Sequence, residues 1–334
     1  MSVARKIYSR ASRKALNLFG DLLHFAGADK STYQYARGSR IIVYHGICLD
    51  NPTRFNTLFI TQKRFEEHLK AYKKHFNVVS LADYYAGRFS TDRFNICLTF
   101  DDGFANNYHY ALPLLAKYKI PATFFVTAIG ATKYDILWND LLSIAGRLGP
   151  VKFEFDNELY YKSRYNKYIG ADGVSLNDKL RKTGFDKKAG LINLLDILTG
   201  FREETTIKDY WQQMTAEQIR ELAASPYASV GSHGYYHNDL CNISAGEAAQ
   251  ELTQSKYYLE KITGTEVNSI AFPYGSYNEE VAALSKTAGY EQLLATDFNS
   301  PQHHADPALR ERLTINPFIS TANQMYANIR GKYY

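Results

Sequence analysis

The sequence predicts an α/β sheet or barrel interrupted by a hairpin-and-helix layer, and three observations carry that prediction. From Arg40 onward, short β-branched or aromatic runs alternate with helical periodicity, the pattern of parallel strands joined by crossover helices. With 334 residues, 45% of them hydrophobic and 22% charged, the chain is long enough to bury a large core. The alternation breaks at one stretch, between about Tyr134 and Met214.

The first 38 residues read as a basic amphipathic segment. Arg5, Lys6, Arg10, Arg13 and Lys14 precede an apolar stretch, but Asn17, Asp21 and His24 interrupt it as they would not in a secretory signal. Val3, Ile7, Ala11, Leu18, Leu22 and Phe25 instead trace a helical stripe. Such a stripe lies on an anionic membrane surface or packs on the protein's own body. Strand-like runs follow at Ile41 to Tyr44, Phe76 to Leu81, Phe94 to Phe100, Ala122 to Val126, Ala228 to Gly231, Ser269 to Phe272, Gln292 to Ala295 and Arg312 to Ile315. Helical periodicity fills Lys63 to Lys74, Ala105 to Lys117, Ala245 to Ile262 and Glu279 to Ala288. Within the break, Lys152 to Tyr161 alternates around Asp156-Asn157, a hairpin signal, and a helical pattern runs from Asn177 to Phe201. The layout is thus a main body over 39–133 and 214–320, an insertion over 134–213 that shapes the substrate groove, and a tail over 321–334 without a readable signal.

Composition excludes several classes. The net charge of +5 is small and dispersed, which argues against nucleic acid. No apolar run approaches the ~18 residues of a membrane-spanning helix. Cys48, Cys97 and Cys241 are odd in number and form no Cys-x-x-Cys pair, so a disulfide framework is not expected. These features favour a cytoplasmic protein, membrane-associated if the first segment binds lipid, with the cell envelope as the alternative.

Chemistry concentrates where strands end. Leu98-Thr99-Phe100 runs into Asp101-Asp102-Gly103, two adjacent carboxylates that repel unless a cation or proton lies between them. His233 and His237 follow the run ending at Gly231, at the spacing that puts two imidazoles on one face of a helical turn and lets them hold one divalent metal. With a carboxylate they make a three-ligand shell with positions open for water or substrate. Phe272-Pro273-Tyr274-Gly275 turns sharply after a third run, so the Tyr274 N–H can face a reacting oxygen. Tyr44-His45-Gly46 ends a fourth. In a closed α/β barrel all these strand ends share one face, where active sites lie.

These residues resemble the polysaccharide deacetylases of the NodB homology type, carbohydrate esterase family four. Thr99 to Gly103 matches the first motif, His233 to His237 with Asp239-Leu240 the second, and Phe272 to Gly275 part of the third. The resemblance implies a distorted (β/α) barrel and a hydrolase that removes N-acetyl groups from an N-acetylhexosamine glycan or glycolipid, N-acetylglucosamine being the type sugar. Asp102, His233 and His237 would bind zinc or another divalent transition metal. Asp101 would be the general base in the attack of a metal-bound water, and Pro273 and Tyr274 would contact substrate, Tyr274 also stabilising the oxyanion. Three departures stand out. Gly234 replaces a common Ser or Thr, Ala271 or a neighbour replaces an Arg that orients the base, and Leu313-Thr314-Ile315 lacks the late Leu-x-His that supplies an acid. An orienting partner for Asp101 is therefore expected to be missing, and His45 is the first choice for the acid. A glycan-binding pseudoenzyme and an O-deacetylase or amidase on another substrate remain the alternatives.

Overall fold

The computed structural model describes residues 3–27 and 30–333, with side chains from residue 12 on, residue 13 excepted. Among the described residues thirteen strands appear in chain order: β1 (Ser39–Tyr44), β2 (Ile47–Cys48), β3 (Ile60–Thr61), β4 (Asn77–Val79), β5 (Asn95–Phe100), β6 (Ala122–Val126), β7 (Lys152–Phe155), β8 (Glu158–Lys162), β9 (Tyr168–Ile169), β10 (Ala228–Ser232), β11 (Ser269–Ala271), β12 (Gln292–Ala295) and β13 (Leu309–Thr314). The order β1-β13-β12-β11-β10-β6-β5 closes through a β1–β5 pairing into a parallel barrel of seven strands. On one edge β5 is shared: its first half pairs with β4, from Asn77↔Asn95 to Val79↔Cys97, and its second half with β6, from Leu98↔Ala122 to Phe100↔Phe124. That handover is the distortion in the (β/α) barrel.

Strand β5 shows why the apolar runs read as strands. All six residues of Asn95-Ile-Cys-Leu-Thr-Phe100 are buried, because a parallel strand covered on both faces carries a continuous rather than alternating pattern. Ile41, Cys97, Phe125, Ala271 and Leu294 form one buried cluster, while the alternate residues Ile42, Leu98, Phe124, Ile270 and Leu293 pack with the surrounding helices. Those helices are cut by ordinary end signals. Helix Ala245–Thr263 starts in a capping box between Ser244 and Glu247 and stops at left-handed Gly264.

Residues 134–213 build a separate layer. Strands β7, β8 and β9 form an antiparallel sheet, its first turn made by Asp156 and Asn157, both at positive φ. Helices Trp138–Leu148 and Phe185–Thr199 pack beside it, and the buried cluster Trp138, Leu141, Phe153, Tyr168, Leu191 and Trp211 extends to Phe55, Phe59 and Phe104 of the body. The expected helical run from Asn177 to Phe201 is two helices, Leu176–Leu180 and Phe185–Thr199, separated by a break that ends at Gly184.

At the chain ends, helix Thr321–Arg330 occupies what reads in sequence as a tail, packed on β1 and on helix Gln62–His75. It escapes pattern reading because much of its buried face is amide: Asn323, Gln324 and Asn328 are all buried, Asn323 donating to Asp21 and Gln324 to Asn328. Helix Val3–Phe25 docks on it through its polar side, where Asn323 also bonds the Asn17 carbonyl. Leu18, Phe19, Leu22 and Phe25 face solvent. The side chains of Val3, Ile7 and Ala11, and of Arg5, Lys6, Arg10 and Arg13, lie outside the described set. Among the described residues no helix is long and apolar enough to cross a membrane.

Candidate active site

The C-terminal ends of the barrel strands carry every candidate from the sequence. Asp101 follows β5 and donates its N–H to the Tyr44 carbonyl at 3.0 Å, so the Tyr44↔Phe100 register sets His45 beside it. Asp102 and Gly103 then turn with φ of 74° and 81°. A Cβ on Gly103 would meet Val126 at 2.9 Å, so this left-handed, crowded position requires glycine. The turn separates the two carboxylates. Asp101 faces the barrel wall, and Asp102 faces the loop after β10.

That loop is not the helical turn expected from the histidine spacing. His233 continues from β10, Gly234 lies at φ 76° and His237 at φ 57°, and a folded loop brings the rings together with centroids 5.1 Å apart. Glu251 of the capped helix holds the loop in shape, accepting from the N–H groups of Tyr235 and Tyr236 at 3.2 Å and from the Asn238 amide at 2.5 Å. Lys188, buried in the insertion, donates to the other side of Asn238, and burial brings its pKa down to about 8. Asp239 is buried and pairs with Arg181 at 2.7 Å, and the Arg181 guanidinium lies 4.5 Å over the Tyr274 ring.

Three ligand atoms converge. Both His233 Nε2 and His237 Nε2 lie 3.3 Å from Asp102 Oδ1, and all three residues are buried. His233 Nδ1 is 2.7 Å from the Ala271 carbonyl, which can only accept, so Nδ1 carries a proton; burial lowers the His233 pKa but Asp101 and Asp102 raise it overall, and in its neutral form the ring presents a bare Nε2 lone pair to the carboxylate. Lone pairs aimed at one another require a proton or a cation between them, and the donor set of two imidazoles and one carboxylate suits a borderline-soft divalent metal. The residues present therefore fit a metal.

The missing partner of Asp101 is in fact present. Arg312 on β13 makes a bidentate pair with it, Nη1 to Oδ1 and Nη2 to Oδ2, both at 2.7 Å. Burial alone would raise the Asp101 pKa, but the Arg312 charge and neighbouring His233 outweigh it and hold the carboxyl below its ordinary value. Sequence reading took Arg312 as the start of an ordinary strand run, since its partner lies 211 residues away. The available signal was a cation within a strand whose neighbours in the closed barrel are both buried.

His45 is half-buried, its Nδ1 without a partner among the described residues. Burial lowers its pKa, opposed by Asp102 and Asp101. His303 and His304 are engaged elsewhere, His303 with the Tyr277 hydroxyl at 2.7 Å and His304 against Phe298. Pro273 is buried beside Gly234, and Tyr274, at φ 62°, places its ring 4.8 Å from that of His237. Asp140, from the insertion, is a second residue that the sequence did not reveal. It is buried, accepts from Asn56 at 3.3 Å, and is held well above the usual carboxylate range by burial and by Asp102.

Comparison with known proteins agrees with this arrangement. The polysaccharide deacetylase family model matches residues 89–149 and 197–293. YxkH of Bacillus subtilis (strain 168), named as a polysaccharide deacetylase, is 20% identical over 285 residues, covering 84% of this chain and 72% of that protein. Among solved structures, Streptococcus pyogenes deacetylase PplD in complex with acetate superposes with a TM-score of 0.56 at 19% identity, covering 86% of this chain and 97% of that one. IcaB from Ammonifex degensii superposes with a TM-score of 0.52 at 20% identity, covering 88% and 97%. These likenesses carry the barrel fold, and the chain matches the polysaccharide deacetylase family model across the Asp101-Asp102 and His233-His237 motifs and the Phe272 to Gly275 turn.

Proposed function

We propose that the protein is a metal-dependent deacetylase that removes the acetyl group from an N-acetylhexosamine in a glycan or glycolipid. The observation that carries this reading is the convergence of Asp102, His233 and His237 on one point, with Asp101 on the preceding residue held ionised by Arg312. A divalent metal, zinc for this donor set, would be held by Asp102 Oδ1 and the two Nε2 atoms and would supply the Lewis acidity that makes a water acidic at neutral pH.

The chain's own residues do the rest. Asp101 keeps lone pairs beyond those Arg312 occupies and takes the proton of the attacking water. Bidentate pairing fixes its orientation and lowers its basicity, trading driving force for a carboxylate that stays charged while buried. The Tyr274 N–H stabilises the oxyanion that develops on the acetamide carbonyl. His45, which follows the adjoining strand β1, would protonate the departing amine. The solvent-facing Leu18, Leu22 and Phe25 of the first helix, in a segment with five cations before its first acid, suit an anionic membrane surface and hence a lipid-linked sugar at the cytoplasmic face.

The test is acetate release, with matching appearance of free amine, from a panel of N-acetylhexosamine oligomers and glycolipid headgroups using zinc-loaded protein. Stoichiometric acetate and amine from any of them supports the reading. Acetate from O-acetylated sugars alone would replace it with an O-deacetylase, and zinc-loaded protein that binds glycan but releases nothing would replace it with a binding protein.

A further inference from the structure

A cleft of about 560 Å³, reached from the metal-ligating side by Tyr274, carries polar side-chain atoms that the protein leaves unpaired. One wall is the 53–58 segment of the body, the other is the insertion through Asn139, Asp140, Arg147 and Tyr165, and Tyr274 reaches it from the barrel side. The volume falls in the usual range of small-molecule sites, ~300–1,000 Å³. Three side chains on its lining have buried atoms without a hydrogen-bond partner among the described residues: Asp140 Oδ2, Asn139 Oδ1 and Tyr274 Oη. Asp140 is 3% exposed, and its other oxygen is already taken by Asn56.

Buried polar atoms left unpaired cost free energy, so several around one cleft call for a ligand that pairs them. The ligand must offer a donor to Asn139, an acceptor to the Tyr274 hydroxyl and a group that can accept from or donate to Asp140 Oδ2. A pyranose ring does so, because adjacent hydroxyls both donate and accept. Phe55 and the exposed rings and aliphatic surface of Tyr165 and Leu58 offer apolar faces to its C–H edges. Tyr274 ties the cleft to the reacting centre through its ring contact with His237.

We propose that Asp140, with Asn139 and Tyr274, forms the subsite that holds the sugar bearing the acetyl group, so that the barrel supplies the reacting groups and the insertion positions the ring. The proposal rests on the deacetylase reading, and the experiment separates the two. Binding of an N-acetylglucosamine tetramer is measured calorimetrically on zinc-loaded full-length Asp101→Asn protein and on the same protein carrying Asp140→Ala or Asp140→Asn, with zinc stoichiometry and thermal midpoint recorded. The expected result is a loss of about tenfold or more in affinity for Asp140→Ala, partly restored by Asp140→Asn, which keeps an acceptor oxygen. In the otherwise unmodified enzyme, Asp140→Ala should raise KM by a similar factor. Should Asp140→Ala fail to fold, Tyr274→Phe removes a single hydroxyl from the same cleft and should weaken binding several-fold. Unchanged affinity in the variants alongside active wild type overturns the subsite and leaves the deacetylase reading standing. Asp140-dependent binding without acetate release does the reverse, and a wild type that binds no tetramer overturns the subsite.

Discussion

The two sides of the site differ in how their polar atoms are satisfied. On the barrel side, Asp101 has both oxygens bound by Arg312, His233 has its Nδ1 on the Ala271 carbonyl, and the loop to His237 is clamped by Glu251. On the insertion side, Asp140 and Asn139 each leave a buried atom unpaired, and so do His45, His237 and Tyr274 where the barrel meets it. The base and the first imidazole are fixed by the protein, whereas the groups proposed to meet substrate are left incomplete. The contrast also separates roles: damage on the barrel side should remove turnover, and damage on the insertion side should weaken binding.

The strongest way to break the comparison is Asp101→Asn. An amide cannot take the water's proton, and acetate release should fall by ~10²–10⁴-fold, the range for a positioned general base, while zinc stoichiometry is kept. Arg312→Met should come next. It strands a buried carboxylate, and breaking such a pair costs about 3–5 kcal/mol, to be read from denaturant unfolding. Arg312→Lys keeps the charge but loses the fork, so it should recover stability more fully than turnover.

Chelation sharpens the comparison at intermediate size. Metal bound at 100 times its Kd stabilises a fold by about 2.7 kcal/mol, so stripping it should lower the thermal midpoint of the wild type and leave that of His237→Ala nearly unmoved. Glu251→Gln exchanges an acceptor for a donor facing the Tyr236 N–H and should cost about 1–3 kcal/mol, with weaker metal retention because the loop to His237 loosens. The smallest effect belongs far from both sides. Leu22→Glu, on an exposed helix face, should change stability by less than about 0.5 kcal/mol, leave acetate release from soluble oligomers intact, and reduce co-sedimentation with anionic vesicles.

The same division explains what the sequence made legible. Strand ends carrying Asp101-Asp102, His233-His237 and Phe272 to Gly275 could be read because each motif is contiguous and closes an apolar run, and a barrel gathers such ends on one face. Arg312 and Asp140 could not, because their meaning lies in partners across the fold: Arg312 meets Asp101 only when β13 and β5 both flank β1. Asp140 opens a helix with the look of an ordinary first-turn acid. The helical face expected for the two histidines failed for a related reason, since the left-handed residues at 234 and 237 fold that loop against Glu251. Helix Thr321–Arg330 stayed hidden because it buries amides where periodicity looks for aliphatic side chains.

The most direct measurement compares acetate release by wild type and Asp101→Asn, each loaded to the same zinc content, on the best substrate of the N-acetylhexosamine panel. The account predicts acetate and amine in equal amounts from the wild type and almost none from the variant. Equal rates from both proteins would contradict it, since the Arg312-held carboxylate would then not be the base.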